Sequence, residues 1–384
     1  MDEHVLRTYV RQPEVFVEGK GATIRDESGR EWLDFLGGIA VSALGHGHPK
    51  LVAALSDQAR KALHVSNLFR NPYTEKVASA LCRLSGMEAV FFTNSGAEAN
   101  ECALKLARKA MRVRGDERRT GYVAIEGGFH GRTMGALSVT SGAKYREPFG
   151  PLVPGVTFVP RNDVAALKAA LDAGPAGLIL EPIQGEGGVV ALDPAFLRAA
   201  RTLCDSTGTI LIHDEVQCGT GRTGRFLCSQ WWDAAPDVVT LAKPLAAGLP
   251  MGACLVRKGL EGTFQPGDHG STFAGGPFVL RAAHVLLGEL ENGLLGNVVE
   301  RGEQFREGLT ALQREFPRIA ELRGRGLIQG VRVEGAAELQ KQLYRNGLLA
   351  NCTANDVIRF LPPYIVTADD VVRALDIIRH TLRG

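Results

Sequence analysis

A rhythm in the middle of the chain limits the fold more than any other feature. Ala89–Thr93 (AVFFT), Tyr122–Ile125 (YVAI), Gly177–Leu180 (GLIL), residues 209–212 (TILI), Val238–Leu241 (VVTL) and Gly252–Val256 (GACLV) are short β-rich runs, most of them continuously apolar. A strand wetted on one face alternates apolar and polar residues, whereas a strand covered on both faces does not. Between these runs lie amphipathic stretches. In 97–111, Ala99, Ala103, Leu106 and Ala110 recur at helical spacing, and 194–206 reads as another helix. Strand, helix, strand at this pace predicts an α/β fold with a mostly parallel sheet between two layers of helices.

The ends follow another pattern. Residues 17–35 read as short strands around an Asp-Glu-Ser-Gly turn. Beyond about residue 296, helices alternate with short strands near 326–333 and 357–360. The expected division is an N-terminal segment, 1–45, joining a small C-terminal α+β domain, 296–384, around a large domain, 46–295. With 384 residues the chain is long enough for two domains.

Three places carry candidate chemistry. In FTNSGAEAN, from Phe92, a strand ends and Asn-Ser-Gly opens a helix. The first N–H groups of a helix have no internal partners, so Ser95, Gly96 and Ala97 form either a plain capped start or an anion site. In ILIHDEVQ, from Ile210, an apolar strand runs into Asp214 and Glu215. Acids there are either solvated loop carboxylates or partners for a positive ring nitrogen or a metal. In DVVTLAKPLAAGL, from Asp237, Lys243 follows a buried strand. It is either a surface lysine or an amine whose pKa burial lowers until it attacks aldehydes. Together the three match the needs of a pyridoxal-phosphate (PLP) enzyme: a phosphate anchor, an acid for the ring nitrogen and a Schiff-base lysine.

Two other motifs lead elsewhere. Residues 219–224, GTGRTG, have dinucleotide-turn spacing, but FLCSQWWD after them is a poor helix opening. GHGHP, from Gly45, offers His46 and His48 without a third ligand cluster, so a turn is expected and no metal. The net charge of +2 suggests neither nucleic acid nor membrane as partner. No apolar run approaches the ~18 residues that span a bilayer. The start lacks a signal-peptide layout, and the seven cysteines contain no C-x-x-C pair, so a cytoplasmic protein with reduced thiols is expected.

At this point the chain resembles a known family, the class III aminotransferases of PLP fold type I. The likeness runs in order through LDFLGGIAVSALGHGHP from Leu33, SNLFRNP from Ser66, FTNSGAEAN and GGFHGRTMGALSVT from Gly127. It continues through EPIQGEGG from Glu181, HDEVQCGTGRTG from His213, LAKPLAAGLPMGA from Leu241, HGSTFAGG from His269 and VIRFLPP from Val357. The resemblance implies that Ser95, Gly96 and Ala97 bind the PLP phosphate and that Phe129 stacks on the ring. It implies that Asp214 pairs with the ring nitrogen, within a cofactor-binding stretch that includes Glu215, Val216 and Gln217. Lys243 is implied as the covalent Schiff-base residue and proton carrier. Thr272 is implied to reach the phosphate of a neighbouring subunit in a homodimer.

For substrates, the resemblance implies N-acetylornithine as amino donor, its carboxylate held by Arg132 with Ser271 nearby. The acceptor is 2-oxoglutarate, whose second carboxylate meets Arg359 once Glu186 releases it. Other donors stay open: N-succinyl-diaminopimelate, ornithine, succinylornithine and 4-aminobutyrate. A non-catalytic binding protein on the same fold is the reading from another class. Ser42, His213, Pro244 and Gly276 depart from the family pattern, and Ser42 bears on donor choice.

Overall fold

The computed structural model describes residues 4–384. At its centre is a seven-stranded sheet in the order Ala89–Thr93, Gly252–Val256, Val238–Leu241, Ile210–Asp214, Gly177–Leu180, Tyr122–Ile125, Val156–Val159. Every pairing is parallel except the two made by Gly252–Val256, which runs against both neighbours. The edge strand Val156–Val159 has no counterpart among the sequence expectations. It is short and half-exposed, so it lacks the continuous apolar signature of its neighbours.

Both faces of the sheet are covered, which explains the unbroken apolar runs. Ile210 and Ile212 point to the face packed by Ala103, Leu106 and Ala110 of the helix Gly96–Val113. Leu211, between them, packs with Leu167 of Val164–Asp172 and with Phe196 and Leu197 of Pro194–Thr207. The helices expected at 97–111 and 194–206 are therefore present, each slightly longer. Ser95 accepts from Glu98 N at 3.2 Å as the cap of the first, and Pro194 occupies the first turn of the second.

A second sheet, wholly antiparallel, has the order Ile319–Arg325, Ile328–Val333, Val357–Phe360, Asn351–Thr353. The helices Leu295–Glu315 and Ala368–Arg383 pack on one another beside it. The N-terminal strands Phe16–Lys20, Thr23–Asp26 and Glu31–Asp34 form a third sheet, completed by Leu348–Leu349 from the far end of the chain. Trp32 locks that union: it is fully buried, and its Nε1 donates to Tyr344 O at 3.0 Å. Among the described residues no helix is long and apolar enough to cross a membrane.

Candidate active site

In a parallel sheet the strands end on one edge, and ligand sites form outside their carboxyl ends. Here Ser95 follows Ala89–Thr93, Phe129 follows Tyr122–Ile125, Glu181 follows Gly177–Leu180, Asp214 ends Ile210–Asp214, and Lys243 follows Val238–Leu241. The antiparallel strand Gly252–Val256 starts at that same edge, just after Pro250 and Met251. All these residues line one cavity of about 440 Å³.

The acid end of the cavity is rigid. Asp214 is buried, and its Oδ2 accepts from Asn100 Nδ2 at 2.7 Å and lies 2.8 Å from His130 Nδ1. Its Oδ1 accepts from Val216 N at 3.0 Å. Asn100 is itself fixed: its Oδ1 accepts from the Thr240 hydroxyl at 2.7 Å, and its Nδ2 also donates to His130 O. A carboxylate so held keeps its direction. The sequence reading assigned no role to His130, Asn100 or Thr240. All three lie inside the quoted motifs, but only the fold brings the Asn100 helix and the His130 loop onto one carboxylate.

Glu181, also buried, accepts from Phe129 N at 2.8 Å and Gly185 N at 3.2 Å. It thus joins the Phe129 loop to the loop of Glu186. Burial, and then the nearby charge of Asp214, raise its pKa to about 7. Burial lowers the pKa of Lys243 below the ordinary lysine value, against the pull of the Glu186 carboxylate. An amine displaced in that direction is neutral more often, and the neutral form is the nucleophile.

The helix start at Gly96 forms another part of the wall. A Cβ on Gly96 would stand 2.7 Å from Val216 Cγ1, so glycine lets the helix start close against the Asp214 loop. Arg132 is exposed at the cavity wall, with its guanidinium carbon 4.2 Å from the ring centre of Tyr145 and 5.5 Å from that of Phe129. Opposite, Arg359 is fully buried. Its Nη1 donates to Glu186 Oε1 at 2.7 Å and to Gln217 Oε1 at 2.8 Å, and its Nε donates to Asn351 Oδ1 at 3.2 Å. Burial opposes ionisation of Glu186, but Arg359 and then Lys243 hold its carboxyl below the ordinary value.

The structure therefore gathers Ser95, Gly96, Ala97, Phe129 and Arg132 with Glu186, Asp214, Val216, Gln217 and Lys243 around one cavity, and Arg359 contacts two of them. Arg359 and three other expected residues stand apart from the lining. The Glu215 carboxylate accepts from the backbone N–H groups of Cys228 and Ser229, so its side chain fixes a turn behind the site. Ser271 and Thr272 lie in the loop beyond Gly270, Ser271 accepting from Asn94 Nδ2 at 3.0 Å and Thr272 exposed. Of the decoys, GTGRTG opens no helix, and His46 Nε2 lies 2.9 Å from Asp34 Oδ2.

Comparison with known proteins places the whole chain among aminotransferases. The family model "Aminotransferase class-III" matches residues 7–382. The acetylornithine aminotransferase of Aquifex aeolicus is 43% identical over 381 residues, covering 99% of this chain and 100% of its own. That of Methanosarcina mazei is also 43% identical, over 98% of this chain and 94% of its own. Among solved structures, the ornithine aminotransferase of Toxoplasma gondii superposes with a TM-score of 0.94 at 36% identity, covering 99% of this chain and 92% of that one. The N-acetylornithine aminotransferase of Stenotrophomonas maltophilia gives 0.85 at 34%, covering 98% and 97%.

Proposed function

The chain belongs to the class III aminotransferases, and from that premise we propose that it transfers the terminal amino group of N-acetylornithine to 2-oxoglutarate, yielding N-acetylglutamate semialdehyde and glutamate. The observation that carries this reading is the buried Arg359, which donates to Glu186 in the wall of the cavity that Lys243 also lines. A site for two unlike substrates needs a cation that can be covered for one and bared for the other.

The residues present fit PLP. The cavity offers a partly buried amine, an aromatic side wall, a buried acid and a close-packed helix N-terminus. PLP bound there supplies an aldehyde to hold the amine and a ring that accepts the electron pair left when a C–H bond breaks. Lys243 would hold that aldehyde through Nζ, and its amine is the group that would carry the proton during transfer. Asp214, held by Asn100 and His130, would pair with the ring nitrogen. Gly96 and Ala97 would bind the phosphate, Phe129 would stack on the ring, and Gln217 would reach the ring's oxygen.

Arg132, at the cavity wall, holds the donor's carboxylate through its guanidinium fork, with Ser271 nearby. In the donor half Glu186 masks Arg359. In the acceptor half Glu186 swings away and the second carboxylate of 2-oxoglutarate takes its place. The protein acts as a homodimer in which Thr272 reaches the neighbouring subunit's phosphate. The exposed Leu68, Phe69 and Phe273 (87%, 70% and 70% accessible) support an apolar contact on the face that carries it.

The test is optical. Purified protein supplied with PLP should lose the bound cofactor's visible absorbance on adding N-acetylornithine alone and regain it on adding 2-oxoglutarate. The Lys243→Ala variant should do neither catalytically. A band that ignores N-acetylornithine but responds to ornithine or N-succinyl-diaminopimelate reassigns the donor. Undiminished turnover by Lys243→Ala sinks the mechanism.

A further inference from the structure

The segment 219–224, GTGRTG, binds no nucleotide in the reading above, yet it places an unusual group. At its centre Arg222 is fully buried. Its Nη1 donates to Leu327 O at 3.1 Å and to Pro362 O. Its guanidinium carbon lies 4.4 Å from the ring centre of Tyr364, whose hydroxyl donates to Thr220 O at 3.1 Å. In return Leu327 N donates to Arg222 O at 3.0 Å. The backbones meet closely: a Cβ on Gly326 would stand 2.8 Å from Arg222 O. Gly221 and Gly224, at φ of +94° and +91°, supply the left-handed turns that let the loop do this.

No carboxylate appears among the hydrogen-bond partners of Arg222, and its Nε and Nη2 have no partner among the described residues. Burial lowers its pKa from the ordinary arginine value. A buried cation without an acid is less stable than an apolar side chain of the same bulk. If filling space were the whole purpose, methionine or leucine would serve better. What the guanidinium adds is a link between two segments through carbonyl oxygens and an aromatic face.

Those segments carry the two partners that meet in the site. Gln217 precedes Arg222 on one loop, and Arg359 precedes Pro362 on the other segment. Gln217 Oε1 and Arg359 Nη1 are 2.8 Å apart. The geometry points to Arg222 as a positioning residue that holds Arg359 in register with Gln217 for the acceptor's second carboxylate. This role rests on the acceptor reading above, in which Glu186 lets go of Arg359. With that bond gone, the fixed neighbours of Arg359 are Gln217 and Asn351, and the Arg222 link keeps Gln217 within reach.

The experiment separates the two half-reactions in Arg222→Met and Arg222→Lys. Bleaching by N-acetylornithine reads the donor half, and recovery with 2-oxoglutarate reads the acceptor half. Arg222→Met should raise the KM for 2-oxoglutarate about tenfold while donor bleaching changes less than about twofold. Arg222→Lys, which keeps a donor but not the fork, should fall between, and it carries the test if the methionine variant fails to fold. Calorimetric binding of glutarate, an unreactive dicarboxylate, should weaken by the same factor. Equal changes in both halves, or none, overturn the role however far the melting temperature falls. A wild type that binds neither glutarate nor 2-oxoglutarate overturns the acceptor reading itself. A wild type that binds glutarate no better than its variants overturns Arg222 alone.

Discussion

His213 shows how a single residue can be legible by position and still need the fold to explain it. It precedes Asp214 on a fully buried strand, and neither ring nitrogen has a hydrogen-bond partner among the described residues. Burial, and then the charge of Arg201, lower its pKa to about 3. The native ring therefore stays neutral well below pH 6.5, where the unfolded chain takes up a proton. The unfolded state binds more protons between those values, so this group's contribution to stability falls as pH falls from about 6.5 toward 3. Glu181 and Glu215 act in the opposite direction. Burial raises both to about 7, so each costs stability as pH rises from the ordinary carboxylate range to neutrality. His213→Leu removes one contribution and leaves the two acids. The variant should gain stability over wild type at pH 8, and about 2 kcal/mol more at pH 5. Urea midpoints at the two pH values decide it; a gain that does not grow on acidification contradicts a neutral buried ring.

At the scale of elements, the helix Gly96–Val113 joins stability to ligand binding. Its cap Ser95 accepts from Glu98 N, and the Glu98 carboxylate reaches back to Asn94 N at 2.7 Å. Its Asn100, one turn in, fixes Asp214. The helix thus presents unpaired N–H groups at one end of the cavity and braces the acid at the other. Ser95→Ala should lower stability by about 1 kcal/mol, the usual loss of a cap. The same change should weaken PLP several-fold in an absorbance titration, while Ser95→Thr keeps both properties. Wild-type behaviour of the alanine variant in both measurements would show that the helix start anchors nothing. The elements themselves were largely readable. Continuous apolar runs gave the central strands, and spacing gave the two long helices. Val156–Val159 and Ile319–Arg325 escaped because edge and surface strands lose that signature.

The whole molecule brings together parts far apart in sequence. Residues from 41 to 251 line one cavity, and Arg359, from the antiparallel sheet beside it, contacts two of them. The N-terminal strands close against Leu348–Leu349, so the two ends of the chain share a sheet. Thr272 lies outside the lining of this cavity, and the proposed homodimer assigns it to the neighbouring subunit's site. If so, sedimentation should find a dimer, and Thr272→Ala should weaken PLP binding without dissociating it. A monomer with full activity would remove the shared-site proposal.

The sequence by itself determined which chemistry is available. Local period and composition set the strands and helices, and the ordered motifs from Leu33 to Val357 specify the family, because these signals lie within short stretches of chain. The tertiary structure alone decided which groups meet. It placed His130 and Asn100 on Asp214, Glu181 between two loops, the Glu215 side chain away from the cavity, and Arg222 on the carbonyls of Leu327 and Pro362. The physical reason is that a hydrogen bond or a desolvated charge depends on distances of a few ångströms across long sequence separations. Only the packing of the sheet, its covering helices and the neighbouring antiparallel sheet sets those distances.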